Sequence, residues 1–235
     1  PNILLYTNRM PLGVISLITP WNFPIAIPIW KMAPALVYGN TVVLKPASAT
    51  PHVATLIARM WEAVDLPAGV FNLLTGSGGA VGNELVTSSR VSAISFTGST
   101  RIGMQIAVDS AKHGKKYQLE MGGKNPVIVL PDADLEQAAE ITVSGAMKYS
   151  GQKCTATSRA IVVGNVIEEF TSLVVEKTMA LKIGPGVDAD SVVVPVIDQT
   201  SKDNITSIID RGVADGGTVL TGGGAPTGPE YDSGT

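Results

Sequence analysis

The sequence predicts an α/β chain: a parallel β-sheet with helices on both faces, followed by part of a second α/β unit. Three observations predict it. Short runs of β-branched and apolar residues alternate with longer stretches at helical spacing. The connections are short and rich in Gly, Pro, Ser and Thr, the residues that punctuate secondary structure. At 235 residues, with 45% hydrophobic and 16% charged side chains, the chain has the composition of a globular protein and the length for one large or two modest domains.

Taken in order, Pro1–Met10 reads as an extended segment with no closed pattern of its own. Gly13–Ile18 (GVISLI) is a buried strand that ends at Thr19–Pro20–Trp21–Asn22–Phe23–Pro24, where two prolines fix a rigid loop. A helix follows from about Ile25 to Val37 and stops at Gly39–Asn40. Thr41–Lys45 (TVVLK) is the second strand. Thr50 reads as an N-cap with Pro51 at the first helical position, and Val53, Leu56, Ile57, Met60, Trp61 and Val64 mark an amphipathic helix. Val70–Thr75 is the third strand, then Gly76–Ser77–Gly78–Gly79 and a helix to about Val86. Ala93–Thr97 is the fourth strand, Gly98–Ser99–Thr100 opens a helix to about Lys112, and Tyr117–Glu120 is the fifth strand.

After Gly122–Gly123 the pattern restarts. Pro126–Leu130 is a strand, Asp132 or Asp134 caps a helix to about Tyr149, and Arg159–Val163 and Val166–Lys182 form a strand and a helix. Val192–Ile197 is apolar, Asp198–Ala214 is helical, and Thr218–Thr221 is a strand before a Gly/Pro-rich tail. The expected organisation is residues 1–11 as the remnant of an arm, 12–122 as a nucleotide-binding domain and 123–235 as a second domain truncated at its C-terminus, the whole being a fragment. In doubly wound sheets ligands sit at the carboxyl ends of the strands. Lys45, Ser48, Gly76, Gly98, Ser99 and Glu120 all fall at such ends.

Charge and composition exclude several classes. A formal net charge of −3 with scattered Lys and Arg gives no nucleic-acid footprint. The longest apolar runs, such as Pro24–Trp30, are too short to span a bilayer, and no signal peptide opens the chain. The single cysteine permits no internal disulfide, which fits a reducing, cytoplasmic setting.

Chemistry concentrates between Gln118 and Arg159. Cys154 lies in a small-residue loop after a helix with Lys153 beside it: either a nucleophile whose thiolate is favoured by nearby positive charge, or a small buried hydrophobe. Glu120 precedes two glycines in an apolar setting: either a general base or a capping or surface carboxylate. Asn22, in the Pro-flanked loop, is an oxyanion donor or an Asx-turn residue. Gly98–Ser99–Thr100 and Gly76–Ser77–Gly78–Gly79 would present N–H groups to a phosphate, or else simply cap helices. The strict G-x-G-x-x-G fingerprint is absent.

Five motifs then bear on one another. Pro20–Trp21–Asn22–Phe23–Pro24, Leu44–Lys45–Pro46–Ala47, Phe96–Thr97–Gly98–Ser99–Thr100, Leu119–Glu120–Met121–Gly122–Gly123–Lys124 and Gly151–Gln152–Lys153–Cys154 resemble, in order, those of the NAD(P)-dependent aldehyde dehydrogenases. The resemblance covers nearly the whole chain. It implies a Rossmann-variant parallel sheet without the G-x-G-x-x-G loop, followed by part of the catalytic domain, with the arm at residues 1–11 serving oligomerisation. It implies that Cys154 attacks an aldehyde to give a thiohemiacetal, that the Asn22 side chain and the Cys154 N–H hold the oxyanion, and that hydride passes to the nicotinamide to leave a thioester. Glu120 would activate the water that hydrolyses it. The cofactor, NADP or NAD, would meet Lys45 at the adenosine ribose and Ser99 at the pyrophosphate. Trp21, Ser48, Gly76 and Gly98 complete the cofactor-binding set, and Lys31 stands where members also carry a lysine. No metal is implied. Homodimers or homotetramers are.

Ser48 departs from the many members that carry Glu there. A carboxylate would repel a 2′-phosphate and a serine would not, so NADP acceptance is expected, unless Ser48 only caps the following turn. Gly151–Arg159 is similar to the 2,5-dioxovalerate (α-ketoglutarate semialdehyde) dehydrogenases. Two other readings stay open: a coenzyme A-acylating relative, against which Glu120 argues, and a non-enzymatic binding or structural protein on the same scaffold.

Overall fold

The structure, a computed structural model, describes residues 2–231 and 234. The chain divides into two compact units, Pro1–Gly122 and Gly123–Thr235.

The first unit is built on β1 (Val14–Ile18), β2 (Thr41–Lys45), β3 (Phe71–Leu73), β4 (Ala93–Gly98) and β5 (Lys116–Met121), joined by α1 (Ala26–Val37), α2 (Pro51–Ala63), α3 (Asn83–Thr87) and α4 (Thr100–Lys112). All four pairings are parallel and the strand order is β3-β2-β1-β4-β5. Strand periodicity divides the core. Ile15, Leu17, Val42, Leu44 and Ala93 pack with Met32 of α1 and Ala54 and Ile57 of α2 on one face. Ile94 and Phe96 pack with Leu85 and Val86 of α3 and Ile106 of α4 on the other, where Val14, Ile18 and Val43 also point. Successive strand residues face opposite sides, so near-continuous apolar runs are what a sheet covered on both faces requires.

The second unit carries β6 (Asn125–Val129) and β7 (Thr157–Val162), a parallel pair, with α5 (Leu135–Met147) crossing between them and α6 (Ile167–Met179) packed beside it. Val129, Ala139 and Phe170 form its buried centre. Asp134, not Asp132, caps α5, its carboxylate accepting from the Gln137 N–H at 3.0 Å. Asp198 likewise caps α7 (Gln199–Ala214).

Four expectations are corrected. The helix expected after Gly79 is split: Gly78–Gly82 form a π-type turn and only Asn83–Thr87 is α-helical, because consecutive glycines give little reason to nucleate a regular helix. The helix expected to reach Tyr149 stops at Met147, and Lys148–Gly151 follow as a 3₁₀ turn with Tyr149 and Ser150 at positive φ. Thr50 occupies the N-cap position of α2 without a side-chain capping bond, and Pro51 alone supplies the start signal. Thr218–Thr221 forms no strand, having no neighbouring strand with which to exchange hydrogen bonds among the described residues. At the N-terminus Pro1 lies outside the described residues, and residues 2–10 are exposed and without regular structure. At the other end of the tail, Asp232, Ser233 and Thr235 also lie outside them.

Candidate active site

The strand order creates the first feature of the site. The chain winds β1→β2→β3 in one direction, then returns so that β4 lies on the other side of β1. The carboxyl ends of β1 and β4 therefore flank a topological switch point, where the connections leave in opposite directions and open a crevice. Thr19–Pro20–Trp21–Asn22 continues from β1, and Gly98–Ser99 continues from β4. Trp21 and Asn22 are half-buried there, and Ser99 is exposed.

Around this crevice the first unit gathers groups that fit a dinucleotide. Lys45 closes β2. It is 4% exposed, its Nζ donates to the Pro46 carbonyl at 2.9 Å, and burial pushes its pKa below the usual amine value. Ser48 Oγ donates to the Gly76 carbonyl at 3.3 Å, so the loops after β2 and β3 meet. Ser99 N-caps α4, its Oγ accepting from the Ile102 N–H at 3.4 Å, and thereby sets the N-terminus of a 13-residue helix against the crevice. Gly98 is required by packing: a Cβ there would lie 2.5 Å from the Phe96 ring. The Ser99 hydrogen bond is also the capping role that the sequence left open for it, whereas the Ser48 bond reaches another loop and caps no following turn.

A second polar cluster lies on the α1 face of β4 and β5. Lys31 Nζ reaches from α1 to Ser95 Oγ at 2.9 Å, the Phe96 carbonyl at 3.3 Å and Gln118 Oε1 at 2.9 Å. Gln118 Nε2 donates to Glu120 Oε1 at 2.7 Å. Register explains the grouping, because Ser95 pairs with Gln118 and Thr97 with Glu120, which puts all of them on one face. Burial lowers the Lys31 pKa from 10.5 to about 8, against the opposing attraction of Glu120. An amine so placed gives up or takes a proton close to neutral pH. Glu120 itself is exposed in this chain, not enclosed by apolar groups as expected, because β5 is an edge strand.

In the second unit Cys154 is exposed, which removes the buried-hydrophobe alternative. It lies in a turn in which the Ala156 N–H donates to the Lys153 carbonyl at 3.1 Å. Upstream, Tyr149, Ser150 and Gly151 are all left-handed, at φ 66, 54 and 68. Non-glycine residues adopt that conformation only when held there. Ser150 Oγ accepts from the Val194 N–H at 2.9 Å and donates to the Val194 carbonyl at 2.6 Å, and Gln152 Oε1 accepts from the Ile197 N–H at 2.9 Å. Downstream, Asn125 Nδ2 donates to the carbonyls of Cys154, at 2.7 Å, and Ala156, at 2.9 Å.

Sequence reasoning did not single out Asn125, Ser150, Ser95 or Gln118 as site residues. Gln118 was open to inference, being two residues from Glu120 on one strand and so on the same face. Asn125 follows directly on the Gly122–Gly123–Lys124 motif. Ser150 left no signal, since its partner is 44 positions away. Among the described residues no His, Cys, Asp and Glu cluster could hold a metal ion, and no helix is long and apolar enough to cross a membrane.

A switch-point crevice with a helix N-terminus and a buried lysine, in a chain that also carries an exposed thiol on a braced loop, is the architecture of a doubly wound α/β protein. The chain belongs to the aldehyde dehydrogenase family, whose pattern it matches over residues 1–235. It is 48% identical over 231 residues to the alpha-ketoglutaric semialdehyde dehydrogenase of Bacillus subtilis (strain 168), covering 98% of this chain and 47% of that protein. Its structure is similar to that of 3,6-anhydro-L-galactose dehydrogenase, solved in complex with NADP (TM-score 0.93, 40% identity, 96% of this chain and 47% of the other). It also matches betaine aldehyde dehydrogenase from Staphylococcus aureus in complex with NAD+ (TM-score 0.93, 36% identity, 95% of this chain and 44% of the other). The chain spans about half the length of the curated relatives it matches.

Proposed function

We propose that the protein to which this chain belongs oxidises an aldehyde to a carboxylic acid with NADP or NAD. The observation that carries the reading is the exposed Cys154 on a loop braced from both sides, in a chain of this family. The bound nicotinamide supplies the hydride acceptor. Cys154 Sγ attacks the carbonyl carbon. The Asn22 amide and the Cys154 backbone N–H donate to the oxyanion that develops, and aimed donors of this kind are each worth about 10²–10³ in rate. Glu120 takes a proton from the water that attacks the acyl carbon of the Cys154 thioester and so regenerates the thiol. Lys45 and Ser99 hold the cofactor, with Trp21, Gly76 and Gly98 around it. Residues 12–122 act as the dinucleotide-binding domain and residues 123–235 as part of the catalytic domain.

The substrate class we favour is a semialdehyde such as 2,5-dioxovalerate, supported by the Gly151–Arg159 run and by the alpha-ketoglutaric semialdehyde dehydrogenase relative. Ser48 adds no negative charge beside the adenosine ribose, and we infer that NADP is accepted. A cytoplasmic homodimer or homotetramer, with residues 1–11 in the assembling arm, fits the single cysteine and the exposed Ile3, Leu4, Leu5 and Tyr6. The dehydrogenase relatives do not favour the coenzyme A-acylating or the non-enzymatic reading.

The test is the alkylation rate of Cys154 against pH, with and without NADP. Alkylation faster than that of a free thiol and a response to NADP are expected. Slow reaction indifferent to NADP in the folded protein overturns the proposal.

A further inference from the structure

We infer that Asn125 is a positioning residue for the Cys154 nucleophile, acting through the backbone of its loop; this rests on the dehydrogenase reading above. One side-chain amide carries two N–H donors, and Asn125 spends both on the same turn. Its Nδ2 donates to the Cys154 carbonyl at 2.7 Å and to the Ala156 carbonyl at 2.9 Å. The two bonds fix the peptide planes that follow Cys154 and Ala156. The turn bond from the Ala156 N–H to the Lys153 carbonyl, 3.1 Å, ties in the plane that precedes Cys154, whose N–H is the proposed oxyanion donor. Both backbone torsions of Cys154 are thereby constrained, and with them the direction of the Cα–Cβ bond that carries Sγ.

The fold places Asn125 for this task. It opens β6 next to β7, and the register slips between Asn125, opposite Thr157, and Pro126, opposite Arg159. Such a bulge re-aims side chains at a strand end, and here it sits beside the loop that enters β7. Ser158 Oγ donates to the Asn125 carbonyl at 3.4 Å, so the strand end is held from the β7 side as well. Gly123 keeps the approach open: a Cβ there would come within 3.2 Å of Asn125 Oδ1. On the far side of the thiol the loop is anchored by Ser150 and Gln152 to residues 194–197. Asn125 is thus the anchor nearest to Cys154, and no other residue type of its size offers two donors from one nitrogen.

The experiment compares the native protein with Asn125→Ala and Asn125→Asp. Aspartate has nearly the same size and, when ionised, has no donor, so it keeps the packing and loses both bonds. kcat and KM are measured for an aldehyde and for NADP, with Cys154 alkylation and a thermal melt alongside. The expected result is a fall in kcat on the order of 10²-fold, the scale set by misplacing a reacting group by about 1 Å. KM for NADP stays within about twofold and the alkylation of Cys154 loses its response to NADP. An unchanged kcat in both variants, with wild-type Cys154 responding to NADP, overturns the positioning role alone. A fall in kcat that only tracks the fraction of unfolded protein overturns it too. Wild-type Cys154 that is slow and indifferent to NADP instead overturns the dehydrogenase reading beneath it.

Discussion

Ser48 shows how much one side chain decides at this site. Its Oγ donates to the Gly76 carbonyl, which ties the loops after β2 and β3 together and leaves no charge at the position. With NADP bound as proposed, a glutamate there would set a carboxylate near the 2′-phosphate, two negative charges at short range. Ser48→Glu is therefore expected to lower the ratio of kcat/KM for NADP over NAD on the order of tenfold or more. An unchanged ratio would mean that Ser48 only braces the loop. At this scale the sequence was informative about residue types and poor about their partners. Cys154, Asn22, Lys45 and Glu120 stand in local motifs that can be read along the chain. The bonds from Lys31 to Ser95 and Gln118 bridge 64 and 87 positions, and nothing in a local pattern encodes them.

At the scale of the element, β1 carries the sheet. It pairs with β2 on one side and β4 on the other, and Leu17, fully buried, lies in the cluster closed by α1 and α2. Leu17→Ala removes packing from the strand whose end carries Asn22. A loss of about 2–5 kcal/mol is expected, readable in a urea titration of the first unit by tryptophan emission. A change below about 1 kcal/mol would mean that the cluster relaxes around the gap. Strands and long helices were legible because apolar periodicity is a local signal, and their ends moved by at most three residues, the largest shift being the end of α6 from Lys182 to Met179. The misses have physical causes. Gly78, Gly79 and Gly82 weaken an α-helix across that turn, and Thr218–Thr221 has strand propensity but no strand beside it among the described residues. In the left-handed run Tyr149–Gly151, Gly151 favours that conformation, but Ser150 is held by bonds to Val194, 44 positions away, and no local propensity announces it.

For the whole molecule, buried lysines make stability depend on pH: burial lowers the pKa of Lys31, Lys45 and Lys115, and Lys31 shows how. The Lys31 pKa is about 8 in the folded chain, lowered by burial, against 10.5 for an exposed amine. Between those values the unfolded chain binds more protons than the folded one, so raising the pH through that window adds stability. Below about pH 8 both states hold the proton and the slope vanishes. Lys31→Met is expected to flatten the rise between pH 8 and pH 10 in chemical denaturation; a rise that persists unchanged would place its origin in another group.

By itself the sequence determined the alternation of strands and helices, the residues at the carboxyl ends of the strands and the motifs that mark the family, because each is written in neighbouring positions. Tertiary structure alone decided the order β3-β2-β1-β4-β5, which turns the ends of β1 and β4 into a crevice. It also decided that Asn125 and Ser150 brace the loop of Cys154. These depend on which distant segments meet, and that is settled by burying both faces of a sheet at once and by pairing backbone and polar groups across it.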